Sequence, residues 1–159
     1  MLPMLAIVAC TAIPAPDTPT PAPAPAVVPE PLPPAPPPAK PWDERKLDGG
    51  AWHYDASARA ARFTAASSGN ALVTMACAGG QIRLTAGLGG PGPLDVSLRT
   101  SAGTDRLRFE DDAATIPARD ARLDRIAFSR GRFALEASNG STLTLPVQSE
   151  IGRVIEDCR

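Results

Sequence analysis

The sequence has little of what most metalloproteins and cofactor-dependent enzymes rely on. His53 is the only histidine among 159 residues, aromatic residues make up 4%, and there are three cysteines. One histidine and two or three scattered cysteines do not supply four zinc ligands at any usual spacing. The sequence also contains no phosphate-binding loop, no dinucleotide fingerprint and no internal repeat. We therefore predict neither a metal site nor a cofactor.

An excess of positive charge is also missing. The chain has 17 acidic and 16 basic residues, and without Asp17, Glu30 and Lys40 the part from Trp42 onward has 15 of each. Proteins that bind nucleic acid usually concentrate basic residues on one face or stripe. Here acids and bases alternate, as in residues 119–125, which predicts a solvated surface of mixed charge and no nucleic-acid partner.

Long hydrophobic runs are absent as well. The apolar residues 1–9 (MLPMLAIVA) are too few to cross a bilayer, which takes about 20 residues. The run ends in a small residue before Cys10, and this shape is typical of a secretory signal. No Lys or Arg precedes it, which leaves open whether Met1 is the true start and whether the run is an incidental apolar N-terminus.

The end of this run, residues 7–10 (IVAC), resembles the lipobox of bacterial lipoproteins. The resemblance implies cleavage before Cys10, whose thiol would carry a diacylglycerol group and anchor the chain to a membrane. The next residue is Thr11 rather than Asp, which by the sorting rule of enteric bacteria implies delivery to the outer membrane. The protein would face the periplasm or the cell surface.

Proline is concentrated behind that cysteine. Fourteen of the 19 prolines fall within residues 11–41. Because proline lacks a backbone donor and has a fixed φ, this segment favours an extended polyproline II conformation that would reach about 95 Å. We expect residues 10–41 to be a lipidated, disordered tether. A PxxP ligand for a proline-binding module and a segment that threads through peptidoglycan remain as alternatives.

Residues 42–159 are predicted to form one compact domain. Short alternating runs separated by turn signals predict strands, and helical spacing predicts a short helix at 120–129 and a C-terminal helix at 149–158 with Ser149 as its N-cap. Asn139-Gly140 is the strongest hairpin signal. The predicted fold is mostly β: a β-sandwich or small barrel of about eight short strands with one internal and one C-terminal helix. The runs with strand character are 51–55, 61–65, 71–77, 81–85, 94–100, 105–110, 113–116, 132–136 and 142–145.

The end of this domain resembles two groups of envelope proteins. The layout of residues 123–159 resembles the C-terminal part of invasion-associated locus B-type periplasmic proteins. Residues 129–133 (SRGRF), Pro146 and residues 156–159 (EDCR) are also similar to the ends of small uncharacterised lipoproteins of alphaproteobacterial type. The resemblance implies a β-sandwich of unknown role and supplies no catalytic residue.

With Cys10 assigned to lipid, Cys77 and Cys158 remain. In an oxidising envelope the economical prediction is a disulfide between them. Two separate buried thiols are the alternative.

A catalytic site would have to be built on His53. Asp55 lies on the same face of the predicted strand, and Ser67, Ser68 and Ser129 are conceivable nucleophiles, but none lies in a nucleophile elbow such as GxSxG. We therefore assign no catalytic residue. As candidate ligand contacts we name the consecutive Trp52, His53 and Tyr54, with core or edge aromatics as the alternative for Trp52 and Tyr54.

Two charged clusters complete the candidates. Arg130 and Arg132, within residues 129–132, could bind an anion at a turn, although pairing with a carboxylate of the domain is the simpler interpretation. Residues 110–112 (EDD) could hold calcium but lack the spacing of an EF-hand loop, so a solvated turn is favoured.

These features favour a non-enzymatic envelope lipoprotein with a binding, inhibitory or structural role. Its partners would be the membrane, through the lipid anchor, and an envelope protein or peptidoglycan. Such a lipoprotein predicts an exposed apolar or aromatic patch, or a protruding loop at 87–93, and no polar pocket. The alternatives are an envelope hydrolase, which predicts a cleft holding His53, a hydroxyl and a carboxylate, and an accessory subunit of a secretion or outer-membrane assembly.

Overall fold

Nine strands, a 3-10 turn and two helices make up the regular structure of residues 40–159, which are the residues that the computed structural model describes. The predicted leader, Cys10 and all but the end of the predicted tether lie outside the described residues. A 3-10 turn at Trp42–Glu44 opens this part of the chain. The strands are β1 (Gly50–Asp55), β2 (Ala60–Ala65), β3 (Ala71–Ala78), β4 (Gln81–Ala86), β5 (Pro93–Thr100), β6 (Gly103–Glu110), β7 (Ala113–Pro117), β8 (Arg132–Ala137) and β9 (Thr142–Pro146), and the helices are α1 (Ala121–Ala127) and α2 (Ser149–Glu156).

The predicted fold class is confirmed. The domain is mostly β, with one short internal helix and one C-terminal helix, and it has nine strands where about eight were expected. Alternation sets the faces of the strands: in β4, Ile82 and Leu84 are fully buried while Gln81 and Arg83 are exposed. The Asn139-Gly140 hairpin joins β8 to β9, with Gly140 at a positive φ of 91°.

All nine strands belong to one antiparallel sheet in the order β1-β2-β3-β4-β7-β6-β5-β8-β9. The sheet has two halves, because β6 pairs with β7 at a single position, Glu110 with Ala113. The chain passes from β4 to β5 through a glycine-rich loop at 87–92 and from β7 to β8 through α1.

The turn between β6 and β7 joins the two halves. Asp111 and Asp112 both have left-handed backbones, with φ of 49° and 60°. The Asp112 carboxylate accepts hydrogen bonds from the backbone N–H groups of Gly89 and Gly90 at 3.2 and 3.0 Å, and that of Asp111 accepts one from Gly92 at 2.9 Å. These acids therefore bind the amides of the glycine-rich loop from a turn in which Asp111 is exposed and Asp112 is half-buried.

Asp48 and Trp52, just before and within β1, are hydrogen bonded to the last strand, β9, although the two strands do not pair as a ladder. Asp48, just before β1, donates its backbone N–H to the carbonyl of Thr144 at 2.8 Å and accepts the Thr144 N–H on its carboxylate at 2.7 Å. The Trp52 indole N–H donates to the Pro146 carbonyl at 2.8 Å. Backbone groups of β9 that would otherwise face solvent at a sheet edge are thus occupied.

Side chains from both halves of the sheet and from both helices share one core. The largest of its fully buried side chains are Phe63, Phe109, Phe133, Met75, Ile82, Leu84, Leu88, Leu98, Ile116, Leu123, Ile126 and Leu135. Helix α2 adds Ile151, Val154 and Ile155 on one face. Within residues 40–159, neither helix has the length or apolar composition needed to cross a bilayer.

Ser149 is not the N-cap of α2, and that prediction was wrong. The cap position is taken by Gln148, which makes no side-chain cap hydrogen bond, and Ser149 is the first helical residue. The Gln148 side chain is directed to β1 instead, where its Oε1 accepts the Trp52 backbone N–H at 3.4 Å. A contact between α2 and the sheet edge has displaced the local capping interaction.

The predicted disulfide between Cys77 and Cys158 is confirmed. It joins β3 to the segment after α2, across a sequence separation of 81 residues and a Cα–Cα distance of 5.4 Å. Cys158 is buried, and its bond holds the end of α2 against the sheet.

We predict that replacing both Cys77 and Cys158 with Ser lowers the free energy of unfolding by about 4 kcal/mol, because the unfolded chain regains the freedom that the large loop removes. Urea denaturation of the oxidised wild type and the double variant measures this difference. The reduced wild type is the matched control and should unfold at a midpoint close to that of the variant. Equal midpoints for oxidised and reduced protein would contradict the prediction.

Candidate functional site

The structure separates the three consecutive candidate ligand contacts of β1. Trp52 is only 4% exposed, and its ring lies against that of Phe63 with 5.4 Å between centroids. Trp52 is therefore a core residue, which is the alternative that the sequence left open. His53 is exposed on the other face of β1, opposite Arg62 of β2.

His53 is not assembled with a hydroxyl and a carboxylate. Among the described residues, no hydrogen bond of its ring is found, whereas Asp55 accepts from the Ser57 hydroxyl at 2.6 Å and from the Ser57 and Ala58 backbone. The Ser57 hydroxyl, together with these amides, lowers the pKa of Asp55. Ser129 is buried and donates its hydroxyl to the Arg132 carbonyl. Two of the candidate partners of His53, Asp55 and Ser129, thus have other roles in the fold.

Tyr54 joins β1 to the C-terminal segment. Its hydroxyl is hydrogen bonded to the Asp157 carboxylate, and the Arg153 guanidinium lies 5.9 Å from the centroid of its ring. The hydrogen bond to Asp157 raises the pKa of Tyr54. This cluster is adjacent to the disulfide, because the Arg59 guanidinium reaches both the Cys77 sulfur and the Asp157 carbonyl.

The most prominent apolar surface lies between α1 and α2. Phe128, the residue that follows α1, is 81% exposed and is the one large hydrophobic side chain among residues 40–159 that is exposed. It stands beside a groove of about 330 Å³. The groove has an apolar base and a polar rim, lined by Asp124, Ala127, Phe128, Val147, Gln148, Ser149, Gly152, Ile155, Glu156 and Arg159.

The rim of this groove, which we call the Phe128 groove, has a net negative charge. Arg159 pairs with Asp124 and also donates to the Ala118 carbonyl at 3.0 Å. Glu156 is exposed and forms no ion pair within the described part of the chain. The Glu156 carboxylate therefore has no paired positive charge among the described residues that line the groove.

Helix α1 holds Phe128 in place through its own polar contacts. The carboxylate of its N-cap, Asp120, accepts the Arg122 backbone N–H at 2.9 Å and pairs with the Arg122 guanidinium at 2.7 Å. The side-chain hydrogen bond from Arg122 lowers the pKa of Asp120 to about 2. Arg125 makes two hydrogen bonds to the carboxylate of Asp105 in β6, at 2.7 and 2.8 Å. These contacts fix both ends of the short helix.

Arg130 and Arg132, the two arginines predicted from sequence, do line a common cavity. It measures about 610 Å³ and is bordered also by Trp42, Asp43 and residues 100–104. Arg132 donates from Nη1 to the carbonyls of Asp43 and Arg45, at 2.8 Å each. Arg130 is exposed, and its backbone N–H donates to the Ser101 hydroxyl at 3.0 Å. We call this space the Arg130 cavity.

An ion-pair network holds the segment that carries Trp42. Glu136 of β8 pairs with Arg45 at 2.7 Å and with Arg99 at 2.6 Å. Burial alone would raise the pKa of Glu136, but hydrogen bonds from Arg99 and Arg45 outweigh it, and the pKa is lowered. Glu136 therefore stays ionised and holds Arg45 against β8.

Sequence reasoning did not find Phe128 or Trp42. Phe128 lies outside the apolar stripe of α1 that Leu123 and Ile126 define. An aromatic residue that falls off the buried stripe of a short helix is the signal that would have identified it. Trp42 gives no such signal, because its placement depends on Arg132, which is 90 residues away.

No protein-family model, curated protein or solved structure matches this chain. Within residues 40–159 there is also no group of three or more His, Cys, Asp or Glu side chains placed to hold a metal ion. The functional argument therefore depends on the geometry of the Phe128 groove and the Arg130 cavity.

We predict that replacing Asp120 with Ala lowers the free energy of unfolding by about 1 kcal/mol at pH 7, the usual effect of losing an N-cap. The folded-state pKa of about 2 lies below the ordinary value of 3.8, so this stabilisation is present above about pH 4 and is lost as the pH falls through about 2. Urea denaturation between pH 7 and pH 2 should show the deficit shrinking with acid.

Asp120→Asn is the matched control, because Asn remains a good N-cap while losing the charge that Arg122 recognises. It should retain more stability at pH 7 than the Ala variant. A deficit of the Ala variant that stays constant across the whole pH range would contradict the assignment.

Proposed function

We propose that this protein is a bacterial envelope lipoprotein that presents a non-enzymatic binding domain on a proline-rich tether. The lipobox-like sequence at residues 7–10 supports an acyl anchor on Cys10, and the proline content of residues 11–41 supports a spacer. The Cys77–Cys158 disulfide supports export, because such bonds persist in oxidising compartments. Outer-membrane delivery follows from Thr11 under the sorting rule.

The exposure of Phe128 carries the proposal of a binding role. Isolated apolar side chains are common on protein surfaces, but this ring stands next to a groove with Val147 and Ile155 at its base. Covering an exposed Phe side chain contributes about 2 kcal/mol of transfer free energy. A partner that placed an apolar group against the ring and into the groove would gain that free energy.

The occupant that fits this groove is a polypeptide segment with an apolar side chain next to a Lys or Arg. A space of about 330 Å³ accepts one or two side chains. The uncompensated Glu156 on the rim favours a basic neighbour for the apolar anchor, since complementary charge selects among partners. With a segment of another envelope protein as occupant, this domain would act as an accessory subunit of an envelope assembly.

We predict that Cys10→Ser moves the protein from the membrane fraction to the soluble fraction, because the acyl group has no other attachment point. Mass spectrometry of the wild type should show a chain that begins at Cys10 and carries the lipid. Thr11→Ser is the control and should leave the protein in the membrane. Recovery of wild-type chain with Met1 uncleaved and its cysteines unacylated would overturn the proposed anchor.

For the groove, we predict that a library of short peptides panned against the full chain enriches those with an apolar residue next to Lys or Arg. Phe128→Ser should weaken their binding at least tenfold, because the main apolar contact is removed, while the exposed position leaves stability within about 0.5 kcal/mol of wild type. Glu156→Gln should abolish the preference for the basic residue but keep that for the apolar one.

Phe128→Leu, which keeps an apolar side chain, is the matched control and should retain most of the affinity. Enriched peptides that bind Phe128→Ser as tightly as wild type would contradict the groove as the contact surface. Binding of wild-type protein to phosphatidylglycerol vesicles without any peptide preference would assign Phe128 to a lipid surface and contradict a polypeptide occupant.

A further inference from the structure

The Arg130 cavity lies apart from the polypeptide-binding role proposed above and has a different chemistry. Its volume of about 610 Å³ is in the range of small-molecule sites. Its lining includes the half-buried Trp42, with Ser101 of the β5–β6 turn and Thr104 of β6. Arg130, just before β8, and Arg132, the first residue of β8, also line it.

The arginine side chains in this cavity have guanidinium N–H groups that donate to no described residue of the protein. The Arg130 guanidinium makes no hydrogen bond or ion pair with any residue in the described part of the chain. Arg132 employs only Nη1, toward two backbone carbonyls, so its Nε and Nη2 groups are without a described partner. Asp43 is the one acid that lines the cavity, which leaves a net charge of about +1 for a ligand to meet.

The walls are fixed before any ligand arrives. Ser129 is buried and accepts the Ser101 backbone N–H at 2.9 Å, while the Ser101 hydroxyl accepts the Arg130 N–H at 3.0 Å. Arg132 holds the backbone next to Trp42 through the carbonyls of Asp43 and Arg45. A site that is ordered in advance loses less conformational entropy when it binds.

We propose that the Arg130 cavity binds an acidic saccharide, a sugar that carries one carboxylate or phosphate group. A guanidinium makes paired hydrogen bonds to such a group, and the apolar C–H face of a sugar ring packs against an indole. The hydroxyl oxygens of Ser101 and Thr104 accept hydrogen bonds from the Arg130 backbone and the Arg99 guanidinium, and each hydroxyl keeps its O–H to donate to a sugar oxygen. Inorganic phosphate would use the arginines but not Trp42, and the balanced charge of the domain does not favour a nucleic acid.

Isothermal titration calorimetry on the full chain tests this assignment with matched ligands. Cellobiouronic acid should bind saturably, and cellobiose, which differs by lacking the carboxylate, should bind at least tenfold more weakly. Glucose 6-phosphate and inorganic phosphate form the second pair, which tests the contribution of the sugar. Comparison of glucose 6-phosphate with cellobiouronic acid distinguishes a phosphorylated from a carboxylated ligand. Trp42 provides an independent readout, because its fluorescence should change on binding while the buried Trp52 reports the intact core.

Arg130→Gln should weaken the acidic sugar about tenfold, the usual effect of losing a charged hydrogen bond. Arg83→Gln, at an exposed arginine on β4, is the charge-matched control and should bind like wild type. Phe128→Ser should also leave sugar binding unchanged, so that failure of one proposal is distinguishable from failure of the other.

Three results would overturn the inference. The first is that neither acidic sugar shows saturable binding. The second is that inorganic phosphate binds as tightly as glucose 6-phosphate and cellobiouronic acid binds no better than cellobiose. The third is an equal loss of affinity in Arg83→Gln and Arg130→Gln, which would show that sugar binding depends on the net charge of the protein and not on the position of Arg130.

Discussion

The contact between β1 and β9 is the constraint on which the rest of the domain depends. The two halves of the nine-stranded sheet share only the Glu110–Ala113 pair, so contacts at its outer strands help to hold them around one core. Asp48 and Trp52 make that contact with backbone groups of β9, and the Trp52 ring packs on Phe63 in the core. The Trp52 side chain thus both donates a hydrogen bond to the edge strand and packs in the apolar core.

The Phe128 groove and the Arg130 cavity both lie where connecting segments cross the sheet. The Phe128 groove is formed by α1, which crosses from β7 to β8, and by α2, which the disulfide and Gln148 hold to the sheet. The Arg130 cavity is formed where the entering segment is held on β8 by Arg132 and Glu136. Such loops and short helices are free to carry exposed groups because the sheet beneath them supplies the stability.

Local sequence predicted most of the fold, because its signals act over a few residues. Alternation identified strands such as β4, and the lone pair of cysteines in the predicted domain identified the disulfide. Three features depend on partners distant in sequence and were not predicted. They are the contact of Asp48 with β9, the loop-binding role of Asp111 and Asp112, and the placement of Gln148 rather than Ser149 at the N-cap of α2. The site was reached only in part: Arg130 and Arg132 were named, but Phe128 and Trp42 became visible only once the helices and the entering segment were in place.

The pairing of Asp48 with Thr144 has a consequence for the order of events during biogenesis. These residues are 96 positions apart, so the first strand of the domain gains its final neighbour only after nearly the whole polypeptide has been made. Contacts of such long range form late, since closing a large loop costs entropy before any contact offsets it. A domain whose first strand is secured only by residue 144 therefore completes its fold late in synthesis.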